Sequence, residues 1–395
     1  MLDRRDSILL DSSGNFPRSY SSPLSIIGVH PEQILKGHIS NPQELLSVME
    51  SYQEKNSDLG YPKGGLAGWI DYDGSYTFGL YPNFLVYNHS SASWISGEGM
   101  LDFPSYQVSQ LVSEISGWRA SMSQEEFIVA VNRAKDFIAE GDIYQVNLAQ
   151  KFSTQVSEKS DLFSLYQKLR YESPAPMACY GQLGGRELLC SSPETFMRMS
   201  GNVVETRPIK GTSPRFLDTE KDQLSAHQLV SSAKENAELV MITDLLRNDL
   251  GMVCEYGSVK VDELLSLERL EHVYHLVSTV RGQIRKDLCH LDVLKACLPG
   301  GSITGAPKIR AMEVIKELET VPRGLYTGVV GYLGFNGESQ FNVVIRSMIR
   351  EGKELSYHVG AGIVADSNAQ REYEETLMKA KGIRRALNSY QELSY

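Results

Sequence analysis

The sequence predicts a mixed α and β fold, and three local patterns carry that reading. Ser123-Gln124-Glu125-Glu126 is a capping box: the serine accepts from a free backbone N–H, and the glutamate three residues on reaches back. Phe127, Ile128, Val131, Ala134 and Phe137 follow at helical spacing, and Gly141 is a natural stop. Residues 143–152 then alternate. Tyr144, Val146, Leu148 and Phe152 fall on one face and Gln145, Asn147 and Lys151 on the other, the period of a strand with one polar face. Upstream, Gly68-Trp69-Ile70-Asp71-Tyr72 and Thr77-Phe78-Gly79-Leu80 flank Asp73-Gly74, which signals a hairpin.

The chain has 395 residues, 42% of them hydrophobic, enough for a large core in roughly two to three domain-sized units. Texture divides it at about residue 120. Residues 1–120 are rich in Ser, Gly, Pro and Tyr, whereas 121–390 carry dense polar motifs; the two parts are expected to form one body. The formal net charge of −10 argues against a nucleic-acid surface but leaves room for a locally basic pocket. Five scattered cysteines without a CxxC pair predict reduced thiols, with no disulfide framework and no zinc site. The apolar run Ile8-Leu9-Leu10 is too short for a signal peptide, and no stretch approaches the roughly 18 apolar residues of a membrane helix. A soluble cytoplasmic protein is the expectation.

Four motifs could carry chemistry. In Glu205-Thr206-Arg207-Pro208-Ile209-Lys210-Gly211-Thr212, Lys210 sits beside an apolar neighbour and before a glycine. A lysine held against apolar surface can shed its proton and act as a nucleophile, although by itself the segment reads first as a solvated loop. Glu235 and Glu238 lie three apart on an expected helix across 218–248, and Glu372 and Glu375 repeat the spacing. Four carboxylates on two helices suit Mg²⁺, an oxygen-seeking cation; solvated helix faces beside Lys234 and Lys379 are the plainer reading. Pro299-Gly300-Gly301-Ser302-Ile303-Thr304-Gly305-Ala306-Pro307-Lys308 is not a Walker loop. Pro307 can open a helix with Ile309, Met312, Ile315 and Leu318 on its apolar face, leaving Ser302 and Thr304 to face an anion, or the run is a tight turn. Gly360-Ala361-Gly362, after a strand at 355–359, lacks the full dinucleotide fingerprint and is read as letting a ligand approach the backbone. Arg346, ending a strand at 341–345, could hold a carboxylate or be structural.

Singly these signals are weak, but their order is specific. Tyr144-Gln145-Val146-Asn147-Leu148-Ala149-Gln150, Ser192-Pro193-Glu194, Pro208-Ile209-Lys210-Gly211-Thr212, Ile242-Thr243-Asp244-Leu245-Leu246-Arg247-Asn248-Asp249, His275-Leu276-Val277-Ser278, the run 301–308 and Gly360-Ala361-Gly362-Ile363-Val364-Ala365-Asp366-Ser367 follow in register. This series resembles the chorismate-binding enzyme family, which includes anthranilate, aminodeoxychorismate, isochorismate and salicylate synthases. The resemblance covers about residues 120–390. It implies an α+β fold of two large, mainly antiparallel sheets packed face to face, with outer helices and the active site in the cleft between halves.

Two positions sort the family. The water-using isochorismate and salicylate synthases carry a lysine where this chain has Gln145. Anthranilate synthases typically have alanine where it has Lys210, and the Pro-Ile-Lys-Gly-Thr form resembles component I of aminodeoxychorismate synthases. The resemblance implies further roles. Glu235, Glu238, Glu372 and Glu375 match Mg²⁺-site carboxylates, and Glu194 matches the general acid at the departing C4 hydroxyl. Arg346, Tyr326 and the backbone of Gly360, Ala361 and Gly362 match groups holding chorismate's carboxylates. His275 and Ser302 line the ring pocket, with Thr304 close by. The implied chemistry is addition of Lys210 at C2, then of ammonia at C4, giving 4-amino-4-deoxychorismate on the route to 4-aminobenzoate and folate.

Ammonia usually reaches this family from a separate glutamine amidotransferase (glutaminase) subunit, and nothing here resembles one. Many members bind tryptophan through Leu-Leu-Glu-Ser and Asn-Pro-Ser-Pro-Tyr segments. Here these read Leu9-Leu10-Asp11-Ser12 and Ser173-Pro174-Ala175-Pro176-Met177, so tryptophan feedback is not implied. The rival readings are anthranilate synthase, a water-using synthase of the isochorismate or salicylate kind, and an inactive ligand-binding scaffold. Retention of Glu194 and all four paired glutamates speaks against the scaffold.

Overall fold

The expected hairpin is present. Gly65–Ile70 and Ser75–Tyr81 pair antiparallel, and Gly74 takes φ 95°, a left-handed value that glycine adopts without Cβ strain. The computed structural model to which this hairpin belongs describes residues 6–12, 24–52, 60–96, 115–158, 160–270 and 273–388. Among these residues the named strands form two sheets in which every strand pair is antiparallel.

The eleven-stranded sheet runs laterally from Gly305–Ala306 through Gln145–Gln155, Glu354–Ile363, Ser347–Glu351, Arg186–Ser192, Met177–Leu183, Ser7–Asp11, Leu24–Gly28 and Leu85–Asn88 to Ser93–Ser96. Arg119–Ala120 also pairs with Gln145–Gln155. The ten-stranded sheet runs from Ile209–Pro214 through Val273–Gln283, Val203–Arg207, Thr195–Ser200, Glu338–Val343, Val329–Gly334, Gly65–Ile70 and Ser75–Tyr81 to Gln33–His38, and Lys260–Arg269 pairs with Val273–Gln283. Strands from before and after residue 120 therefore sit side by side in both sheets.

The sheets pack face to face. Trp69, Tyr81, Val330 and Tyr332 of one meet Ile8, Ile26, Cys179, Leu188 and Cys190 of the other. Burying one such large apolar side chain stabilises by about 2–3 kcal/mol relative to leaving it exposed. Helices cover the outer faces. Leu162–Glu172 and Lys381–Asn388 pack over Tyr180, Leu189 and Tyr357, and Gln124–Ala139 with Lys308–Leu318 over Val146, Leu148, Ala361 and Ile363. The Ser123 capping box forms as read, with Ser123 Oγ accepting from Glu126 N–H and Glu126 accepting from Ser123 N–H. No helix of the described residues is long and apolar enough to cross a membrane.

Four local expectations need correction. The helix expected across 218–248 is two helices, Thr219–Val230 and Ala233–Gly251, because Ser232 leaves helical geometry and caps the second through Glu235 N–H. The helix after Pro307 buries Ala311, Val314 and Ile315, while Ile309 is 78% exposed, so its buried face is rotated from the one the spacing suggested. Arg346 does not end a strand: Glu338–Val343 stops earlier, and Arg346 sits in the connection at φ 50°. Tyr144 likewise lies just before its strand, and is 70% exposed.

Candidate active site

Lys210 lies on Ile209–Pro214, a strand at the edge of the ten-stranded sheet, opposite Leu276. The register slips between Lys210 and Thr212, where Gly211 takes φ 67°. This bulge bends the strand against the helix Ala233–Gly251: a Cβ on Gly211 would stand 3.1 Å from Glu235 Oε2. The Lys210 ammonium is then 3.9 Å from Glu238 Oε2, with both side chains largely buried. It makes no hydrogen bond to a described residue. Across the gap it approaches the other sheet, lying 4.0 Å from where a Cβ on Gly362 would be.

Gly360 and Gly362 make room for side chains of the neighbouring elements. A Cβ on Gly362 would lie 2.5 Å from Gln145 Nε2, and one on Gly360 would lie 2.6 Å from Asn147 Oδ1 and 3.1 Å from the Tyr326 hydroxyl. The pairing of Glu354–Ile363 with Gln145–Gln155 puts Asn147 beside Gly362 and Ala149 beside Gly360, and the missing side chains make room for the amides and the phenol. Ala361 points away, fully buried in the core under Gln124–Ala139. Gln145 Oε1 and Asn147 Oδ1 are buried and have no hydrogen-bond partner among the described residues.

Glu194 is 8% exposed and accepts from Ser302 Oγ at 2.6 Å. Burial pushes its carboxyl above the ordinary range, while Ser302 and the charges of Lys210 and Arg346 oppose that rise. Ser302 thus serves the acid. The Thr304 hydroxyl is turned to the Gly300 carbonyl at 2.9 Å and braces the same short segment. Beyond it, Lys308 donates to Asp249 Oδ2 at 2.6 Å and to the Cys297 carbonyl at 3.1 Å, which ties this motif to the 242–249 helix motif.

His275 is buried, with Nδ1 2.9 Å from Thr212 Oγ1 and 3.3 Å from the Gly211 carbonyl. Burial pushes its pKa down to about 4, with the Arg346 charge adding and the Gly211 carbonyl opposing, so the ring is neutral near pH 7. The Arg346 charge thus acts on both Glu194 and His275. Tyr326 is buried and stacked on His358, at 4.9 Å between centroids and 9° between planes.

The paired glutamates come from two helices, Ala233–Gly251 and Ala369–Lys379. Burial raises Glu238; Lys210 and Lys234 oppose this, while Glu235 and Glu375 push the same way. Glu372 is raised by burial although it accepts from Ser367 Oγ at 2.8 Å. Burial would raise Glu375 too, but Lys379 at 2.8 Å, with Lys234 and Lys210, holds it below the usual carboxylate range. The donors are all carboxylates, the chemistry Mg²⁺ prefers. Their positions are less suited: among the described residues no three His, Cys, Asp or Glu side chains are gathered closely enough to hold a metal ion. Lysines supply the positive charge in this arrangement.

The site therefore brings together an amine, a buried acid, a neutral imidazole, an arginine, two amides and a serine hydroxyl, from both sheets, their connections and the short helix Gly301–Thr304. Sequence reasoning missed Asn147, Arg323 and His358. Asn147 was visible on the polar strand face. Arg323 had no local signal, yet it is buried and donates to Glu319, to the Ile303 and Asn147 carbonyls and to Thr327.

Comparisons with known proteins show the family and the fold. The family model described as chorismate binding enzyme matches residues 19–385. An anthranilate synthase component I-like protein of Synechocystis is 35% identical over 88% of this chain and 79% of its own length. Aminodeoxychorismate synthase component 1 of Bacillus subtilis is 40% identical over 74% of this chain, which spans 62% of that relative. The crystal structure of anthranilate synthase component I from Streptococcus pneumoniae superposes with a TM-score of 0.79 at 30% identity, covering 91% of each chain.

Proposed function

We propose that this chain, which belongs to the chorismate-binding enzyme family, is the aminating subunit of an aminodeoxychorismate synthase. It would convert chorismate and ammonia to 4-amino-4-deoxychorismate, a precursor of 4-aminobenzoate. The observation that carries this reading is Lys210, an amine held in the cleft near Glu238, Gln145 and Gly362. Named relatives include both aminodeoxychorismate and anthranilate synthases, so relatedness alone does not choose the product.

In the proposed reaction Arg346 and Tyr326 orient the substrate carboxylates, and neutral His275 packs beside the ring. Glu194 is fit to act as the acid because burial favours its protonated form. It gives its proton to the C4 hydroxyl, which leaves as water. Lys210, as the free amine, forms a bond to C2 while the ring double bonds shift and the C4–O bond breaks. Ammonia then bonds to C4, the double bonds shift back, the C2–nitrogen bond to Lys210 breaks, and the surplus proton on the new amine returns to Glu194. Free lysine is restored, and the net change is hydroxyl for amine. Splitting one substitution into two in this way lowers each barrier.

Glu235, Glu238, Glu372 and Glu375 are too spread here to enclose a metal ion unaided; with water and a substrate carboxylate completing the shell they would hold Mg²⁺, whose charge would steady that carboxylate. Ammonia would come from a glutamine amidotransferase partner or from free ammonium. The test is to incubate the protein with chorismate, Mg²⁺ and an ammonium salt, add aminodeoxychorismate lyase and read products by mass. 4-Aminobenzoate is expected, with loss of turnover in EDTA and recovery on adding Mg²⁺. Anthranilate in its place would transfer the chain to the anthranilate branch. Isochorismate or salicylate would identify a water-using enzyme.

A further inference from the structure

We infer that His358 is a positioning residue for substrate: its ring holds the Tyr326 phenol over Gly360. The inference rests on the reading of Tyr326 as a contact for a substrate carboxylate.

Tyr326 has its backbone fixed by its neighbours. It follows Arg323, whose guanidinium is engaged by Glu319, two carbonyls and Thr327. It precedes Thr327, which is held at φ 61° and donates its N–H to the Val344 carbonyl at 2.8 Å. What the turn leaves open is the direction of the ring. Arg323 stands 5.9 Å from the ring centroid, and His358 lies flat against it at 4.9 Å and 9°. A ring lying flat against the phenol at this distance blocks its swing about the Cα–Cβ bond toward that side, the motion that would carry the hydroxyl away. The hydroxyl makes no hydrogen bond to a described residue and is aimed at the space above Gly360, 3.1 Å from the position of the absent Cβ. It is thus a donor kept for something that enters.

His358 is an unusual group to bury. It is 5% exposed, and neither ring nitrogen has a hydrogen-bond partner among the described residues; the Pro322 carbonyl leans toward the ring without completing a bond. An unbonded buried polar group costs stability. The strand Glu354–Ile363 sets His358 two residues before Gly360, on the same face and opposite Lys151, so one strand supplies both the floor under the phenol and the ring that orients it. A carboxylate contact remote from the breaking bond is made equally to substrate and transition state, and losing such a contact raises KM while leaving kcat.

The experiment measures chorismate consumption and, separately, the chorismate Kd by calorimetry. His358→Ala and His358→Asn, which remove the flat ring, are expected to raise KM and Kd about five- to tenfold with kcat within about twofold. His358→Phe keeps a ring against the phenol and is expected to stay within about twofold of wild type in both constants. Tyr326→Phe should raise KM by itself, and adding His358→Ala to it should raise KM no further, because the hydroxyl being positioned is already gone. The inference falls if His358→Ala leaves KM unchanged, lowers kcat instead, or multiplies its effect on Tyr326→Phe. A wild-type chain that neither binds nor consumes chorismate removes the functional reading and this inference together. Normal wild-type binding with unaffected His358 variants removes the inference alone.

Discussion

Two clusters of buried charge in this molecule are built on opposite plans. Around Asp11, beneath the outer helix Leu162–Glu172, the carboxylate accepts from Arg170 Nε at 2.6 Å, Tyr166 Oη at 3.1 Å and Ser25 Oγ at 3.1 Å. The small cavity beside it, about 30 Å³, is lined by Leu10, Asp11, Pro176 and Met177, so the two segments that depart from the tryptophan-binding form do meet. Around Lys210, by contrast, the ammonium stands 3.9 Å from Glu238, and the amide oxygens of Gln145 and Asn147 have no described partner. A charge whose hydrogen-bonding capacity is filled holds a fold together. Polar groups left short of partners in a cleft are held ready for a ligand.

That contrast predicts which changes damage chemistry and which damage stability. The largest effect should come from Glu194→Gln, which keeps the bond to Ser302 but has no proton to give: kcat should fall by roughly 10²–10⁴ while Tm stays near wild type. Equal activity would remove Glu194 as the acid. Lys210→Ala should lower aminodeoxychorismate output on the order of 10²-fold and leave the fold intact, and a product profile identical to wild type would take Lys210 out of the mechanism. Asp11→Asn should do the reverse. Denaturant titration should show a loss of about 2 kcal/mol, and kcat per folded molecule should hold. A large kcat effect there would break the division between the clusters.

The smallest effect is in pH. Burial pushes the pKa of His358 down to about 3, with Lys151 and Arg323 adding to the shift. The folded state therefore binds fewer protons than the unfolded chain, where histidine titrates near 6.5. The stability contributed by the neutral ring is complete above that value and is lost as pH falls toward 3. His358→Phe should remove this dependence, narrowing the difference in stability between pH 7.5 and 5.5 by about 1 kcal/mol in urea titrations. For Glu194 the sign is opposite: a raised carboxyl keeps its proton to higher pH, so kcat should decline on the alkaline side as that proton is lost.

Much of the site could be read from the chain because its groups sit in short runs: Ser192-Pro193-Glu194, the segment holding Lys210, and two pairs of glutamates at helical spacing. Helix boundaries were less legible. Ser231-Ser232 breaks an otherwise continuous helical pattern, because Ser232 takes extended geometry and caps the second helix through Glu235 N–H. The neighbours of the glycines at 360 and 362 were not legible either, because nothing in Gly360-Ala361-Gly362 says that two amides from a strand some 215 residues earlier will lie in the space a Cβ would take.

The sequence alone determined the local elements: the Ser123 cap, the hairpin at Asp73-Gly74, the polar face of Gln145–Gln155, and the order of motifs that marks the family. These depend on neighbours within a few residues, or on the spacing of residue types along one chain. Only the tertiary structure decided what meets what. It set Ser302 against Glu194, His358 against Tyr326, and Lys210 of one sheet near Gly362 of the other. Those meetings follow from strand register and from the face-to-face packing of two sheets. Each sums many small contacts spread along the chain, and none of them is written in a local run of residues.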